Sequence, residues 1–275
     1  MSSGAQIPFY QVDAFTDRIF GGNPAGVCLP EEPLPPQVMQ DIAAEVNLSE
    51  TAFVGPAGED GVRHLQWFTP TVEVPLCGHA TLATAHVLFR EVGAEPPFAF
   101  ETLSGILTVD EEKGGWLRMD FPQDPPRPFS QPGGLLEALG CPPTSVVLRA
   151  VKAWLVRVPT EADVRSLDPD MRLLEEVGVG DSALGVIVTA PADGEVDFVS
   201  RFFGPWVGVP EDPVTGMAHT ILTPYWVREM GAATLKARQV SRRGGDLKVR
   251  MAGDRVQISG QAVTVVRGTL TVRGA

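Results

Sequence analysis

Apolar residues recur at two different spacings along this chain. Over residues 36–46, Val38, Met39, Ile42, Ala43 and Val46 repeat at helical spacing, so a helix is expected there; Pro35 and Pro36 suit its start and Asn47 its end. Over residues 80–92 the apolar positions Leu82, Ala83, Ala85, Val87, Leu88 and Phe89 leave little polar surface, which predicts a helix buried on most sides. Short runs bounded by Gly, Pro, Asn and Asp read as strands at 7–15, 25–29, 50–54, 64–69, 98–100, 106–110 and 116–121. In the strand that opens at residue 50, alternation puts Glu50, Ala52 and Val54 on one face. The second half continues with helices near 134–139 and 171–177 and strands at 145–148, 153–158, 183–189 and 196–203. Strands at 248–251, 256–259 and 262–272 close it.

Residues 122–128, Pro-Gln-Asp-Pro-Pro-Arg-Pro, are stiff and extended in composition, and a domain boundary is placed there. The expectation is an N-terminal domain over 1–122, a linker over 123–128 and a C-terminal domain over 129–275, with the pairing of the last strand left open between the two domains. The halves echo one another. Phe68-Thr-Pro leads through Val-Pro to Gly78 and a helix, and Phe203-Gly-Pro leads through Val-Pro to Gly216 and a helix; Gly78 to Gly93 and Gly216 to Gly231 are equally long. An internal duplication follows from that echo. More strand is present than a β-α alternation supplies, so the fold class expected is α+β: two pseudo-repeated domains, each a curved, mostly antiparallel sheet wrapped around a central helix. The helix N-termini at Gly78 and Gly216 are expected to face a shared cleft.

Composition changes the picture by exclusion. A net charge of −12, from 34 acidic and 22 basic residues, with no basic stripe beyond Ser241-Arg-Arg-Gly-Gly245, argues against nucleic acid as a partner. No apolar run reaches the length of a membrane span, and the first ten residues do not read as a secretion signal. Cys28, Cys77 and Cys141 are odd in number and far apart, which indicates neither a disulfide framework nor a structural zinc site. A cytoplasmic location is expected.

The candidate chemistry gathers between residues 50 and 93. Glu50 opens a strand, and the turn Pro75-Leu-Cys-Gly-His-Ala80 opens a helix whose first N–H groups have no intrahelical acceptor and therefore attract a carboxylate or phosphate. A base beside an anion clamp is the pattern. His79, in the first helical turn, is expected neutral. His79 and His86 share a face without a carboxylate at ligand spacing, so no metal is expected. Asn23, in Gly-Gly-Asn-Pro, is either a loop former or a lining residue.

Asp13-Ala-Phe-Thr with Gly22-Asn-Pro-Ala-Gly-Val, Asn47-Leu-Ser-Glu-Thr-Ala-Phe-Val54, Glu73-Val-Pro-Leu-Cys-Gly-His-Ala-Thr-Leu-Ala83 and Glu211-Asp-Pro-Val-Thr-Gly216 occur in the same order in a known family. Over its whole length the chain resembles the phenazine-biosynthesis PhzF-like family, which has the fold of diaminopimelate epimerase and proline racemase. The resemblance implies an isomerase that needs no cofactor, works as a homodimer and acts on a small carboxylate; the characterised member isomerises trans-2,3-dihydro-3-hydroxyanthranilate. It also implies Glu50 as the acid/base, His79 and Asp212 as catalytic partners, and Gly78 and Gly216 as carboxylate-binding glycines. Met217 stands where the family usually has a serine, which makes that part of the binding site more apolar. Cys77 before Gly78 resembles the cysteine base of the racemases of that fold, although Thr215 occupies the place of an opposing thiol. Three readings result: an isomerase moving a proton between carbons of an unsaturated or hydroxylated (amino) carboxylate, a racemase or epimerase using Cys77, and a catalytically silent carboxylate-binding protein.

Overall fold

The structure, a computed structural model, describes residues 5–177 and 183–272. The stretch read for a secretion signal begins in residues 1–4, outside the described residues. The chain divides into two compact units, one made of residues 1–120 and 259–275 and the other of residues 121–258. Among the described residues no helix is long and apolar enough to cross a membrane.

The first unit starts with β1 (Ala5–Ala14), β2 (Asn23–Cys28), α1 (Pro36–Val46) and β3 (Glu50–Ala57). It continues with β4 (Val62–Phe68), β5 (Glu73–Val74), α2 (Gly78–Val87), β6 (Phe98–Thr102), β7 (Gly105–Glu112) and β8 (Trp116–Pro122). β1 and β2 pair antiparallel, β2 and β3 parallel, β3 and β4 antiparallel, β4 and β5 antiparallel, β4 and β6 parallel, and β6 and β7 antiparallel.

The sheet is covered on both faces. Ile7, Cys28, Phe53 and Phe68 pack with Met39, Ile42 and Ala43 of α1, while α2 packs against β1, β2 and β3. Because Phe53 faces α1, the alternating residues Glu50, Ala52 and Val54 fall on the α2 face. Every residue of α2 from His79 to Ala85 is buried. Its two threonines are satisfied internally: the Thr81 and Thr84 hydroxyls donate to the Cys77 and Ala80 carbonyls at 2.6 and 2.8 Å. The helix begins at Gly78, two residues earlier than expected, and widens into a π-helical turn over Leu88–Val92 before Gly93, at φ 77°, ends it.

The second unit holds β9 (Arg127–Pro128), α3 (Leu135–Leu139), β10 (Val146–Arg149), β11 (Ala153–Arg157), α4 (Glu161–Arg165) and α5 (Met171–Glu176). Then come β12 (Gly185–Pro191), β13 (Phe198–Gly204), β14 (Val209–Asp212), α6 (Gly216–Met230), β15 (Thr234–Gln239) and β16 (Gly245–Ala252). The sense of the ladders repeats that of the first unit: β10 with β11 antiparallel, β11 with β12 parallel, β12 with β13 and β13 with β14 antiparallel, β13 with β15 parallel, β15 with β16 antiparallel. The central helices repeat as well, since Gly78–Val92 and Gly216–Met230 each precede a glycine in the left-handed conformation. The second core joins Trp154, Val156, Val186, Val188 and Phe203 to Leu135, Val164 and Leu174 of the surrounding helices.

β17 (Arg255–Gly260) and β18 (Ala262–Val272) end the chain, and β18 runs antiparallel along β1 from Ala5↔Val272 to Ala14↔Ala262. The last strand therefore belongs to the first unit. Gly260 is required there, because a Cβ would come within 2.4 Å of Phe15 and 2.7 Å of Leu82 on α2.

Residues 123–128, expected as a linker, are bonded into the second unit instead. Asp124 donates its backbone N–H to the Thr220 carbonyl at 3.0 Å. That carbonyl lacks its helical partner because the residue four positions on is Pro224, which has no N–H. The Asp124 carboxylate accepts from the Val151 and Lys152 amides at 2.9 Å each, and Arg127–Pro128 pairs with β10. Neither β15 nor α4 was expected from the hydrophobic pattern: β15, Thr-Leu-Lys-Ala-Arg-Gln, has only Leu235 and Ala237 as apolar positions in a polar run, and α4 is one turn set by a Thr160–Asp163 capping box.

Candidate active site

The first unit brings Glu50, Cys77, His79, Ser49 and Asn23 together. Glu50 opens β3, and the parallel register Ala25↔Glu50 sets it beside the start of β2. Asn23, completely buried, is delivered there by Gly22, whose φ of 59° and contact with the Ala14 carbonyl admit no side chain. His79 occupies the first turn of α2 behind Cys77, the N-cap, whose side chain caps nothing. The His79 imidazole, 6% exposed, is the hub. Its Nε2 lies 3.2 Å from Glu50 Oε2 and 3.4 Å from Ser49 Oγ, and its Nδ1 lies 3.4 Å from Asn23 Nδ2 and 3.5 Å from Cys77 Sγ.

Burial raises the Glu50 carboxyl above its ordinary value, and hydrogen bonds from Ser49 and Cys77 oppose that rise. Oε2 is buried and, despite its 3.2 Å approach to Nε2, accepts no hydrogen bond of proper geometry among the described residues. A buried carboxyl oxygen without a hydrogen-bond partner, on a group whose pKa is raised, is chemically able to accept a proton and to return it. The first-turn amides of α2 begin at the next residue after Cys77 and carry the positive end of the helix dipole.

Glu50, Cys77 and His79 present ligand atoms within 4.8 Å of one another, a donor set that zinc accepts in other proteins. Here the carboxylate approaches Nε2 and the thiol approaches Nδ1.

In the second unit Asp212, Thr215, Gly216 and Met217 form the turn into α6. Thr215 Oγ1 donates to Asp212 Oδ2 at 2.5 Å. Gln239, fully buried on β15, accepts from the Thr215 amide at 2.9 Å and donates to the Asp212 carbonyl at 2.7 Å and to Thr215 Oγ1 at 3.2 Å. Ser241 Oγ donates to the Pro213 carbonyl at 2.7 Å. Gly216 is buried and Met217 half-buried. Sequence reasoning passed over Ser49 and Gln239. Ser49 is legible only as the neighbour of Glu50, and Gln239 carries no signal, because its partner turn lies more than twenty residues away.

The family model for phenazine biosynthesis-like proteins, PhzC-PhzF, matches residues 12–268. An uncharacterized isomerase of Pseudomonas aeruginosa is 49% identical over 96% of this chain and 99% of its own length. The crystal structure of a PhzF-family phenazine biosynthesis protein from Enterococcus faecalis superposes with a TM-score of 0.91 at 41% identity, covering 98% of this chain and 100% of that one. A probable proline racemase from Agrobacterium radiobacter, at 12% identity and a TM-score of 0.61 over 96% of this chain and 93% of its own, shares the fold alone. The α+β, epimerase-like fold class expected from the sequence is the one observed.

Proposed function

The chain belongs to the phenazine biosynthesis-like family of isomerases, and on that premise we propose that it moves a proton between carbons of a small unsaturated or hydroxylated (amino) carboxylate, without a cofactor, with Glu50 as acid and base. The observation that carries this reading is the state of Glu50: a carboxyl of raised pKa with a buried, unbonded oxygen beside His79. In the ionised form Oε2 removes a proton from a carbon activated by the substrate's carboxylate or double bond, and the conjugate acid returns it to another carbon of the same system. His79 orients the substrate hydroxyl or amine, and the first-turn amides from Gly78 onward stabilise the negative charge that develops on the substrate carboxylate. The roles of Asp212 in orienting the substrate, of Gly216 in holding its carboxylate, and of Asn23 and Met217 in lining the site belong to the same proposal. So do a homodimeric assembly and a cytoplasmic location.

The test is proton NMR in deuterated water with a panel of small amino and hydroxy carboxylates, dihydro-hydroxyanthranilate included, comparing wild type with Glu50→Gln. Deuterium entering a carbon position with wild type alone supports the reading; equal incorporation by Glu50→Gln removes Glu50 from the mechanism. The 3.5 Å contact of Cys77 with His79 favours one second reading, a racemase in which the thiol is the base. It requires that Cys77→Ala abolish the exchange. Loss of incorporation throughout, with a ligand-induced rise in melting temperature, would leave a carboxylate-binding protein.

A further inference from the structure

The three thiols of this chain sit in three different settings. Cys28 is fully enclosed on β2, and burial pushes its thiol far above the ordinary range. Cys141, partly buried in the second unit, is pushed up to about 12 by burial and by the charge of Asp163. Cys77 instead has proton acceptors at hand. Its Sγ lies 3.5 Å from His79 Nδ1, it hydrogen-bonds the Glu50 carboxyl, and His79 Nε2 lies 3.2 Å from Glu50 Oε2. Thiol, imidazole and carboxylate meet with one polar atom of each within 4.8 Å of the others, and an imidazole backed by a carboxylate activates a sulfur nucleophile by taking the thiol proton while the carboxylate holds the resulting imidazolium. Cys77 is also the N-cap of a ten-residue helix, where the dipole favours a thiolate. The buried Oε2, which accepts no hydrogen bond among the described residues, leaves the carboxylate end of this cluster able to respond. The proposed isomerisation gives Cys77 no step.

We propose that Cys77 is a nucleophilic thiol and that this site captures small soft carbon electrophiles, α-halocarbonyls and α,β-unsaturated carbonyls, covalently at Sγ. With an α-halocarbonyl the Sγ–C bond forms as the carbon–halogen bond breaks; halide leaves with the bonding pair, and the thiol proton passes to His79 Nδ1 and on to water. With an unsaturated carbonyl Sγ bonds the β-carbon, the double-bond pair shifts toward the carbonyl, and the α-carbon takes the proton from the imidazolium. Neither step needs an oxidant or reductant. The inference shares residues with the proposed isomerase site but uses only its geometry, and its test involves no turnover, so either reading can fail alone.

The full-length protein is exposed to iodoacetamide at neutral pH, quenched at intervals, and each cysteine is read by peptide mass spectrometry. Cys77 is expected to be carbamidomethylated roughly tenfold or more faster than Cys141, because burial and the charge of Asp163 hold the Cys141 thiol protonated at this pH, with Cys28 unlabelled. His79→Gln is expected to slow Cys77 by a similar factor while the Cys141 rate stays unchanged and reports that the variant is folded. A second measurement needs no variant: the wild-type labelling rate should level off at lower pH for Cys77 than for Cys141. Labelling of Cys141 first, a Cys77 rate indifferent to His79→Gln in a folded variant, or identical pH profiles for the two thiols would each overturn the proposal.

Discussion

Glu50 shows how a single side chain is held in a state that opposes stability. Burial raises its pKa above the ordinary 4.5, so the folded protein keeps a proton that the unfolded chain has released. Folding stability therefore falls as pH rises from that ordinary value through the raised one, and the full penalty is present above it. Glu50→Gln removes the buried charge and with it the slope. We expect the variant to melt higher at pH 7, by roughly 2–4 °C for each kcal/mol regained in a chain of this size, while carbon-bound deuterium incorporation is lost. A variant that melts lower would mean that the Glu50 carboxylate is net stabilising. In the wild type, exchange should fall on the acid side as Glu50 is protonated, with a midpoint above that of an ordinary glutamate. Glu50 and His79 were legible as residues because an isolated acid at a strand start and a histidine after a helix-opening glycine are local features. Ser49 was not, since its distance of 3.4 Å to His79 Nε2 exists only once β3 and α2 are packed.

Among the elements, the tie between α6 and the segment before β9 is the most informative. Pro224 removes one helical N–H, Thr220 is left with a free carbonyl direction, and the Asp124 amide fills it at 3.0 Å. The carboxylate of the same residue serves the Val151 and Lys152 amides. Asp124→Ala would leave those two amides without their acceptor, and we expect a loss of about 1–3 kcal/mol, measured as a lower urea midpoint with an unchanged slope. Asp124→Asn should recover part of it, because an amide oxygen still accepts one of the two bonds. An alanine variant as stable as wild type would show that water replaces the carboxylate at no cost. A proline-rich stretch reads as a stiff linker from composition. What composition does not hold is the identity of the helix carbonyl that a proline elsewhere has vacated.

Two compact units, each built around its own buried helix, make up the molecule, and they carry separate acid-sensitive groups. His219 is fully buried in the second unit, with Nδ1 bonded to the Thr215 carbonyl at 2.8 Å, and burial lowers its pKa to about 4; His86 in the first unit is lowered to about 4 for the same reason. A histidine held neutral in the fold binds fewer protons than the unfolded chain between pH 6.5 and 4, so stability should drop as pH falls through that window, on the order of 3 kcal/mol for His219. His219→Gln should flatten the pH dependence of the second unit's unfolding; an unchanged slope would remove His219 as its source. Deletion of residues 261–275 strips β1 of the β18 ladder and is expected to abolish amide-exchange protection in β1 while β12 and β13 keep theirs. The sequence by itself determined the α+β class, the duplication, the two buried helices with their glycine ends, and the placing of Glu50 at a strand start and of His79 in a first helical turn, because periodicity and turn residues act over a few positions. Only the tertiary structure decided that the last strand returns to β1, that residues 123–128 are bound to α6, that Gln239 holds the Asp212 turn, and that Cys77 meets His79 and Glu50 in one cluster. Those are contacts between segments distant along the chain, and they come into being when burial of apolar faces brings the strands and helices together.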